Sequence, residues 1–397
     1  MEMAELTALL TPNGLRLLDA LPAVESADDV ARTVSRLRKE GHSPDLVAAV
    51  VTQSRLRARA TSKFGPFAER MLFTRAGLEQ ATRLPIAARH AGRFRDAGLT
   101  RVADLGCGIG GDALGLAGLG LSVHAVDADE VTAAIAAYNL APFGETVSVT
   151  HGTAETADLS GVDAVWLDPA RRTAGHSETT RTRPEDWSPS LDWSFALAAR
   201  LPTGIKLGPG LDRDLIPADV EAQWVSADGS TVELVLWSKA LAREGVRRAA
   251  LVIRGDEAHE ITAAEDADDV PERELGTYLH EPDGAVIRAR LIGDVARALD
   301  AGMLDPHIAY LTSDAALTSP FVTTFRVEKA MPAKVPVING ALRERGIGRL
   351  EIKKRGVDVD PAQFRRKLTL RGDAEATLFL TRVGSTRIAV LAERLSR

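Results

Sequence analysis

The residues best suited to chemistry lie between two short apolar runs. Asp104 ends the first run. It is followed by four glycines, Gly106, Gly108, Gly110 and Gly111. After a stretch rich in Ala and Leu, the second apolar run ends in Asp127. This order predicts a strand, a glycine turn, a helix and a second strand, which together form one βαβ unit of a nucleotide-binding sheet. Asp127 would then accept hydrogen bonds from ribose hydroxyls.

The glycines alone leave two cofactor classes open. Gly106, Gly108 and Gly111 satisfy the G-x-G-x-x-G pattern of nicotinamide and flavin sites. Asp104 separates the two classes, because a carboxylate at this position would repel a pyrophosphate held at the turn and attract the amino group of a methionine moiety. A degenerate, non-catalytic copy of the site is a further alternative.

The pattern D-L-G-C-G-I-G-G with the acid at Asp127 resembles motif I and the next acidic position of the class I S-adenosylmethionine (SAM) methyltransferases. The resemblance implies SAM as the cofactor. It implies contacts to SAM from Asp104, Gly106, Cys107, Gly108 and Asp127. It also places Ala154 and Glu155 at the position where the family contacts the adenine edge.

A second candidate group follows the predicted fourth strand, residues 163–167. There Asp168 and Pro169 open the sequence D-P-A-R-R, at the edge where open α/β sheets bind substrates. In amino-group methyltransferases acting on bases, the matching motif is D/N-P-P followed by an aromatic residue. We expect Asp168 and Pro169 to be catalytic, with a strand-end cap as the alternative for Asp168 and a purely geometric role as the alternative for Pro169. The aromatic residue is absent here, so another side chain would have to stack on the base.

The candidate substrate-binding residues near this edge are basic. Residues 171–193 interleave arginines with two tryptophans, a composition typical of grooves for single-stranded nucleic acid. Arg171 and Arg172 are the candidates there, and a surface loop whose tryptophans pack underneath is an equal alternative. Lys206, at the end of the predicted fifth strand, either contacts substrate or serves as a salt-bridge partner.

We predict an α/β fold, with a seven-stranded Rossmann-like class I methyltransferase core, a helical N-terminal domain and a small C-terminal α+β domain. The expected parts are a helical domain 1–98, a SAM-binding domain 99–255, an acidic linker 256–283 and an α+β domain 284–397. Ser26 and Ser43 predict two capped helices in the first part. Its last segment, residues 63–83, is either a helical lid or a substrate contact through Lys63, Arg70 or Arg75.

The composition excludes several classes of site. A net charge of −6 gives no global sign of nucleic-acid binding, and Cys107 is the single cysteine, so no disulfide is expected and the cytoplasm is the default location. Its position in the glycine turn argues against C5 methylation of pyrimidines, which needs a cysteine that adds to the ring. The eight histidines lack ligand spacing, so we expect no metal. No window approaches the roughly 20 apolar residues of a membrane span.

A basic stretch marks the last domain. Residues 343–371 contain ten Lys or Arg residues and four acids. In a chain that is acidic as a whole, this asymmetry indicates a phosphate-facing surface, with a solvated helix face as the alternative. Lys353, Lys354 and Arg355 are the candidate contacts.

Most of the chain is similar to the bacterial SAM-dependent methyltransferases that carry a C-terminal THUMP-like domain. The resemblance rests on KFGPFAERMLFTRAGLEQAT, DLGCGIGGDA, DPARR, IKLGPGLD, YLHEPDGAVIRA and IKKRG. The approach to motif I and the Asp-Pro motif are distantly similar to trimethylguanosine synthases. THUMP domains bind structured RNA, so the resemblance implies an RNA partner.

Three functions follow from these patterns. The first is a methyltransferase acting on a base nitrogen of RNA. The second is the same reaction on a small molecule or a protein, with the last domain serving dimerisation. The third is a non-catalytic RNA-binding protein that keeps SAM as a structural ligand. The oligomeric state does not follow from the sequence.

Overall fold

The computed structural model describes residues 1–22, 24, 26–171 and 187–395, with Arg171 described by its backbone alone. These residues form two compact units. The first comprises Met1–Leu207 and Leu236–Ala242, and the second comprises Gly208–Val235 and Arg243–Arg397. The division into four parts at residues 98, 255 and 283 stays a prediction.

The first unit begins with helices. They are α1 Met3–Leu9, α2 Pro12–Asp19, α3 Ala27–Lys39, α4 Pro44–Phe64, α5 Arg75–Gln80 and α6 Leu84–Asp96, with a 3-10 helix Gly65–Arg70 after α4. The side chain of Ser26 accepts the Asp29 N–H, and that of Ser43 accepts the Leu46 N–H. Both predicted helix caps are therefore confirmed.

Parallel strands and helices then alternate. Their order is β1 Arg101–Leu105, α7 Gly111–Gly118, β2 Ser122–Asp127, α8 Glu130–Leu140, β3 Val147–His151 and β4 Ala164–Leu167. After the short antiparallel pair β5 Ala170–Arg171 and β6 Trp187–Ser188 come α9 Leu191–Ala198 and β7 Thr203–Leu207. The parallel strands lie in the order β7-β4-β1-β2-β3. The predicted βαβ unit is confirmed, and the carboxyl ends of these strands share one edge.

Two tryptophans pack beneath this edge. Trp166 and Trp237 are each 1% exposed, and their ring centroids lie 5.7 Å apart. A Cβ on Gly204 would lie 2.7 Å from Trp237 and 2.8 Å from Trp166. Glycine at this position therefore lets β7 pack closely on the two rings.

The second unit contains β8 Glu221–Ala227, β10 Arg248–Arg254 and β11 Glu257–Ala263, while β9 Ser230–Trp237 runs from this unit into the first. The sheet to which they belong has nine strands, in the order β11-β10-β8-β9-β7-β4-β1-β2-β3. The predicted count of seven was too low. Of the two missed strands, β8 has polar residues at buried positions, and β11 has no buried residue. Periodicity in apolar residues therefore did not mark them.

A second sheet lies within the same unit. Its strands are β12 Tyr278–Pro282, β13 Gly302–Asp305, β14 Ile308–Ser313, β15 Val322–Pro332, β16 Ile347–Lys354, β17 Ala374–Val383 and β18 Thr386–Arg394. They lie in the order β13-β14-β12-β15-β18-β17-β16. The helices are α10 Gly284–Arg288, α11 Ile292–Ala298, α12 Val335–Glu344 and α13 Pro361–Arg365. Leu279, Tyr310, Phe325 and Phe379 are fully buried in its core.

One expectation for this unit was wrong in detail. The acidic stretch 256–283 contains β11 and β12 rather than an open linker. Two short helices, α10 and α11, follow β12, because Arg290 between them adopts a positive φ of 59°. None of the helices in the described ranges combines the length and the hydropathy that a membrane span requires.

Candidate functional site

The glycine turn after β1 brings two predicted motifs together. The N–H groups of Gly106 and Cys107 donate to the Val126 carbonyl oxygen at 2.9 and 3.0 Å. Gly106 has a φ of +81°, and a Cβ there would lie 2.8 Å from the carbonyl oxygen of Asp168. Only glycine permits this backbone and this close approach together. The turn that carries Asp168 and Pro169 therefore lies against the predicted cofactor loop.

Asp127, at the end of β2, is held by backbone donors. Gly108 N–H donates to its Oδ2 at 2.9 Å and Asp129 N–H donates to its Oδ1 at 3.0 Å. Burial raises the pKa of Asp127, and these two hydrogen bonds oppose that rise. Each carboxylate oxygen has two lone pairs, so the oriented carboxylate can still accept from ribose hydroxyls.

Asp104 is the most unusual side chain of this edge. It is 1% exposed, and within the described part of the chain neither carboxylate oxygen has a hydrogen-bond partner. Burial first, and then the charges of Asp112 and Asp168, raise the pKa of Asp104 well above its ordinary value. A buried carboxylate of this kind is costly unless a cation pairs with it. The amino group of SAM is such a cation, so the buried carboxylate of Asp104 fits this cofactor.

A cluster of charged and polar side chains lies beside Asp104. Lys206 Nζ lies 2.6 Å from Asp168 Oδ2 and 3.5 Å from Asp112 Oδ2, and it donates to Thr82 Oγ1 at 2.9 Å. Thr82 Oγ1 donates to Asp112 Oδ2 at 2.7 Å, and His90 Nδ1 lies 2.9 Å from Asp112 Oδ1. Residues from α6, α7, β7, the turn after β4 and the segment before α6 thus meet at one mostly buried group of charges.

The pKa of Asp112 shows how strongly this cluster stabilises a carboxylate. Burial acts to raise it, but Lys206, His90 and Thr82 outweigh burial and hold the pKa of Asp112 well below its usual range. Asp112 is therefore ionised, and its negative charge faces the ammonium of Lys206.

Sequence reasoning missed Asp112, Thr82 and His90. Asp112 follows the last glycine of the turn directly, and this position was the one available signal. Thr82 and His90 lie in and beside the predicted helical lid, and nothing in their local sequence distinguishes them from other polar residues. They join the site only because α6 packs on α7.

The segment 63–83 makes contacts within the chain. Lys63 Nζ donates to the carbonyl oxygens of Leu78, Glu79 and Ala81 at 2.8, 2.7 and 2.8 Å. Lys63 therefore binds the carboxyl end of α5, which agrees with a helical lid. Arg70 and Arg75 are exposed, and their predicted contact with substrate stays a prediction.

One side chain ties this segment to the glycine turn. Asn139 on α8 accepts the Leu72 N–H at 2.7 Å and donates to the carbonyl oxygens of Leu72 at 3.0 Å and Ile109 at 2.9 Å. It is 5% exposed. The amide thus connects the N-terminal region with the loop that carries the cofactor-binding glycines.

The remaining predicted cofactor residues lie near this edge. Cys107 is 7% exposed, and burial raises the pKa of its thiol well above the ordinary value. Ala154 and Glu155 form a short 3-10 helix after β3, with Ala154 buried and Glu155 exposed. Their contact with adenine stays a prediction.

The predicted substrate residues have different surroundings. Arg172 and the side chain of Arg171 lie outside the described residues. Trp187 is 3% exposed, which leaves little of its ring available for stacking, whereas Trp193 is half-buried. Lys206 is 9% exposed and paired with Asp168, an arrangement that favours the salt-bridge alternative.

The predicted basic patch is only partly available to a ligand. Lys353 Nζ lies 2.7 Å from Glu281 Oε2. Arg355 donates to the Ala309 carbonyl oxygen at 3.0 Å, and its guanidinium lies 5.1 Å from the centroid of the Tyr310 ring. Lys354 between them is exposed. Within the described ranges, no group of three or more His, Cys, Asp or Glu side chains could hold a metal ion.

Two family models match parts of the chain. A model described as THUMP domain-like matches residues 322–394, which run from β15 to the end of β18. A model of a domain of unknown function matches residues 2–60.

Relatives of known class match most of the chain. Uncharacterized SAM-dependent methyltransferases from two Mycobacterium tuberculosis strains, CDC 1551/Oshkosh and H37Rv, are each 32% identical over 345 residues, covering 85% of this chain and 93% of the relative. A crystal structure of a Porphyromonas gingivalis W83 protein assigned as a methyltransferase has a TM-score of 0.71 at 20% identity, covering 94% of this chain and 100% of that one. This structure supports the α/β methyltransferase fold. With Asp104 and Asp127 at the glycine turn and relatives that match nearly end to end, the chain belongs to the SAM-dependent methyltransferases and ends in a THUMP-like domain.

Proposed function

We propose that the enzyme transfers the methyl group of SAM to a nitrogen of an RNA base. The observation that carries this proposal is the close approach of Gly106 to the carbonyl oxygen of Asp168, at which a Cβ would be 2.8 Å away. A substrate group held by Asp168 is therefore held next to the cofactor loop.

SAM supplies a methyl group that is transferred in line from sulfur to the attacking atom. The protein has to hold that atom and exclude water. An ionised Asp168 would accept a hydrogen bond from an exocyclic amino group, and Pro169 would keep the turn rigid because its φ is locked. Asp104 would pair with the amino group of SAM, and Asp127 with its ribose hydroxyls. Gly106, Cys107 and Gly108 would contact SAM through the loop backbone.

Two further contacts complete the proposal for the cofactor. Ala154 and Glu155 follow β3 at the same edge of the sheet as Asp127. We assign the adenine edge to them. We also propose that the protein is distantly similar to trimethylguanosine synthases and that it is located in the cytoplasm.

The choice of RNA rests on the last domain. The THUMP domain-like match covers residues 322–394, and most of the basic stretch 343–371 lies on the strand, loops and helix in that range. Arginines and lysines bind phosphates without regard to base sequence. Such contacts position a nucleic acid but do not recognise its sequence. We assign phosphate contacts to Lys354, Arg171 and Arg172.

The decisive test is transfer of tritium from labelled SAM to total RNA of a deletion strain. We expect label in RNA with wild type and loss of at least about 100-fold with Asp168→Ala, the size typical of a positioned catalytic group. Asp158→Ala, which changes an exposed aspartate of the same unit, is the matched control and should transfer label normally. Intact SAM binding with no labelled RNA would overturn the proposal.

A second candidate is the same reaction on a small molecule or a protein. The internal contacts of Lys353 with Glu281 and of Arg355 with the Ala309 carbonyl favour it, because they make the patch less available to phosphate. Fractionation of the labelled products into RNA, protein and small molecules distinguishes the two candidates. A SAM-binding protein that labels none of these fractions would instead be the non-catalytic alternative.

A further inference from the structure

Lys206 makes the contacts of a supporting residue rather than of a ligand-binding lysine. It is 9% exposed, its ammonium lies 2.6 Å from Asp168 Oδ2, and it donates to Thr82 Oγ1 at 2.9 Å. We propose that Lys206 is a positioning residue that keeps Asp168 ionised and correctly oriented, supported in turn by Asp112, Thr82 and His90. The role assigned to Asp168 rests on the proposed function.

Asp168 needs such a partner because other carboxylates crowd it. Asp112 and Asp168 both raise the pKa of Asp104, so Asp168 lies among carboxylates whose negative charges interact. Lys206 acts in the opposite direction on Asp104 and on Asp112. An acid next to a cation at salt-bridge distance ionises more readily, whereas one among like charges keeps its proton. A protonated Asp168 would lose acceptor capacity for a substrate amino group.

The ammonium is held in place by Thr82, which precedes the sheet, and by Asp112 on α7. Asp112 Oδ1 faces His90 Nδ1 at 2.9 Å, and Asp112 Oδ2 accepts from Thr82 at 2.7 Å. The His90 ring also packs on Trp166, with centroids 4.4 Å apart, two positions before Asp168. Residues 82–90 therefore support the turn that carries Asp168 and Pro169.

Lys63 is a further cation, close enough to Lys206 for their charges to interact. Its ammonium interacts with that of Lys206 by charge repulsion, and it is bound to three backbone carbonyl oxygens. It therefore serves as the matched control, being a lysine of the same neighbourhood whose contacts maintain the fold.

The first test is the pH profile of kcat. With Lys206→Met, we expect the acidic limb to move upward by about 1 to 3 pH units and kcat at neutral pH to fall by about 100-fold, since an adjacent cation lowers an aspartate pKa by that amount and misplacement of a catalytic group costs that factor. The KM for SAM should change far less. Lys206→Arg should return the acidic limb most of the way to its wild-type pH. Lys63→Met should lower the melting temperature but leave the pH of the acidic limb unchanged. An unmoved limb in Lys206→Met overturns the proposal.

The second test does not depend on activity. Melting temperatures are compared for Lys206→Met, Asp168→Asn and the double variant, with Lys206→Gln as a replacement should the Met variant not fold. Coupled residues give non-additive changes, so the double variant should lose less than the sum of the single losses. Additive losses would overturn the pairing whatever the enzyme methylates. The two proposals can also fail separately. If the wild-type enzyme labels no RNA but the losses in melting temperature are non-additive, RNA is not the substrate and the pairing of Lys206 with Asp168 still holds.

Discussion

Asp104 links cofactor binding to the electrostatics of a single residue. Its carboxylate is buried without a hydrogen-bond partner in the described chain, and burial with two neighbouring acids raises its pKa well above the ordinary value of 3.8. A group whose pKa is raised by folding binds more protons in the folded state. Stability without SAM therefore falls as pH rises from 3.8 through the raised pKa. The ammonium of SAM pairs with the ionised form, so SAM affinity should rise over the same window.

We expect Asp104→Asn to weaken SAM binding by at least about tenfold, or about 1.4 kcal/mol, and to flatten its pH dependence, because the variant has no charge to pair. Isothermal titration over a pH series measures both effects. Asp305→Asn is the matched control. Asp305 is also 1% exposed, but it already accepts from the N–H groups of His307 and Gly384, so its loss should lower stability and leave SAM affinity unchanged. Equal SAM affinity in Asp104→Asn and wild type would contradict this assignment.

At the scale of elements, two buried amides attach the N-terminal helices to the sheet. Asn139 on α8 binds the backbone of Leu72 and Ile109. Gln53 on α4 binds both the N–H and the carbonyl group of the neighbouring Phe73, at 3.0 and 2.6 Å. Both amides stabilise the same segment, but only Asn139 also contacts the glycine turn.

This difference makes a matched pair of variants. Asn139→Ala and Gln53→Ala should each lower the free energy of unfolding by a few kcal/mol, because each leaves buried backbone groups without partners at about 1 to 3 kcal/mol per group. Only Asn139→Ala should also weaken SAM binding. Denaturant titration and calorimetric SAM titration measure the two effects. If Gln53→Ala weakens SAM binding as much as Asn139→Ala does, the amide contact to Ile109 has no separate role.

At the scale of the whole molecule, charge is distributed unevenly along the chain. The net charge is −6, yet residues 343–371 contain ten basic and four acidic residues. Several of these cations are paired within the second unit, as Arg349 is with Glu375 at 2.5 Å and Lys353 is with Glu281 at 2.7 Å. The number of phosphates that this surface can neutralise is therefore smaller than the number of its basic residues.

We expect Lys354→Glu to weaken RNA binding and to reduce the slope of log affinity against log salt by about one, which is the signature of one lost phosphate contact. Lys39→Glu changes an exposed lysine outside the basic stretch and should leave that slope unchanged. Filter binding across a salt series with total RNA measures both variants. Identical slopes for Lys354→Glu and wild type would remove this residue from the RNA surface.

The sequence by itself determined the features that depend on near neighbours in the chain. The glycine turn, Asp104 before it and Asp127 after it follow from backbone conformation and strand ends, so their spacing was sufficient to predict the βαβ unit. The caps at Ser26 and Ser43 are equally local, since each side chain binds an N–H three residues ahead. The carboxyl end of a strand also has a fixed place in a parallel sheet, which is why Asp168 was predicted at the correct edge.

Only the tertiary structure decided which side chains become partners. Thr82 meets Lys206 across 124 positions of the chain and Asp112 across 30 positions, and no periodicity relates them. Strand β8 escaped prediction because its inward Glu221 and Gln223 are polar, and packing against Arg243 and Glu260 satisfies them. The sequence indicated that Lys353 could bind phosphate, but in the folded chain its ammonium pairs with Glu281. Electrostatic and hydrogen-bond partners depend on distance in space, and only the folded chain sets those distances.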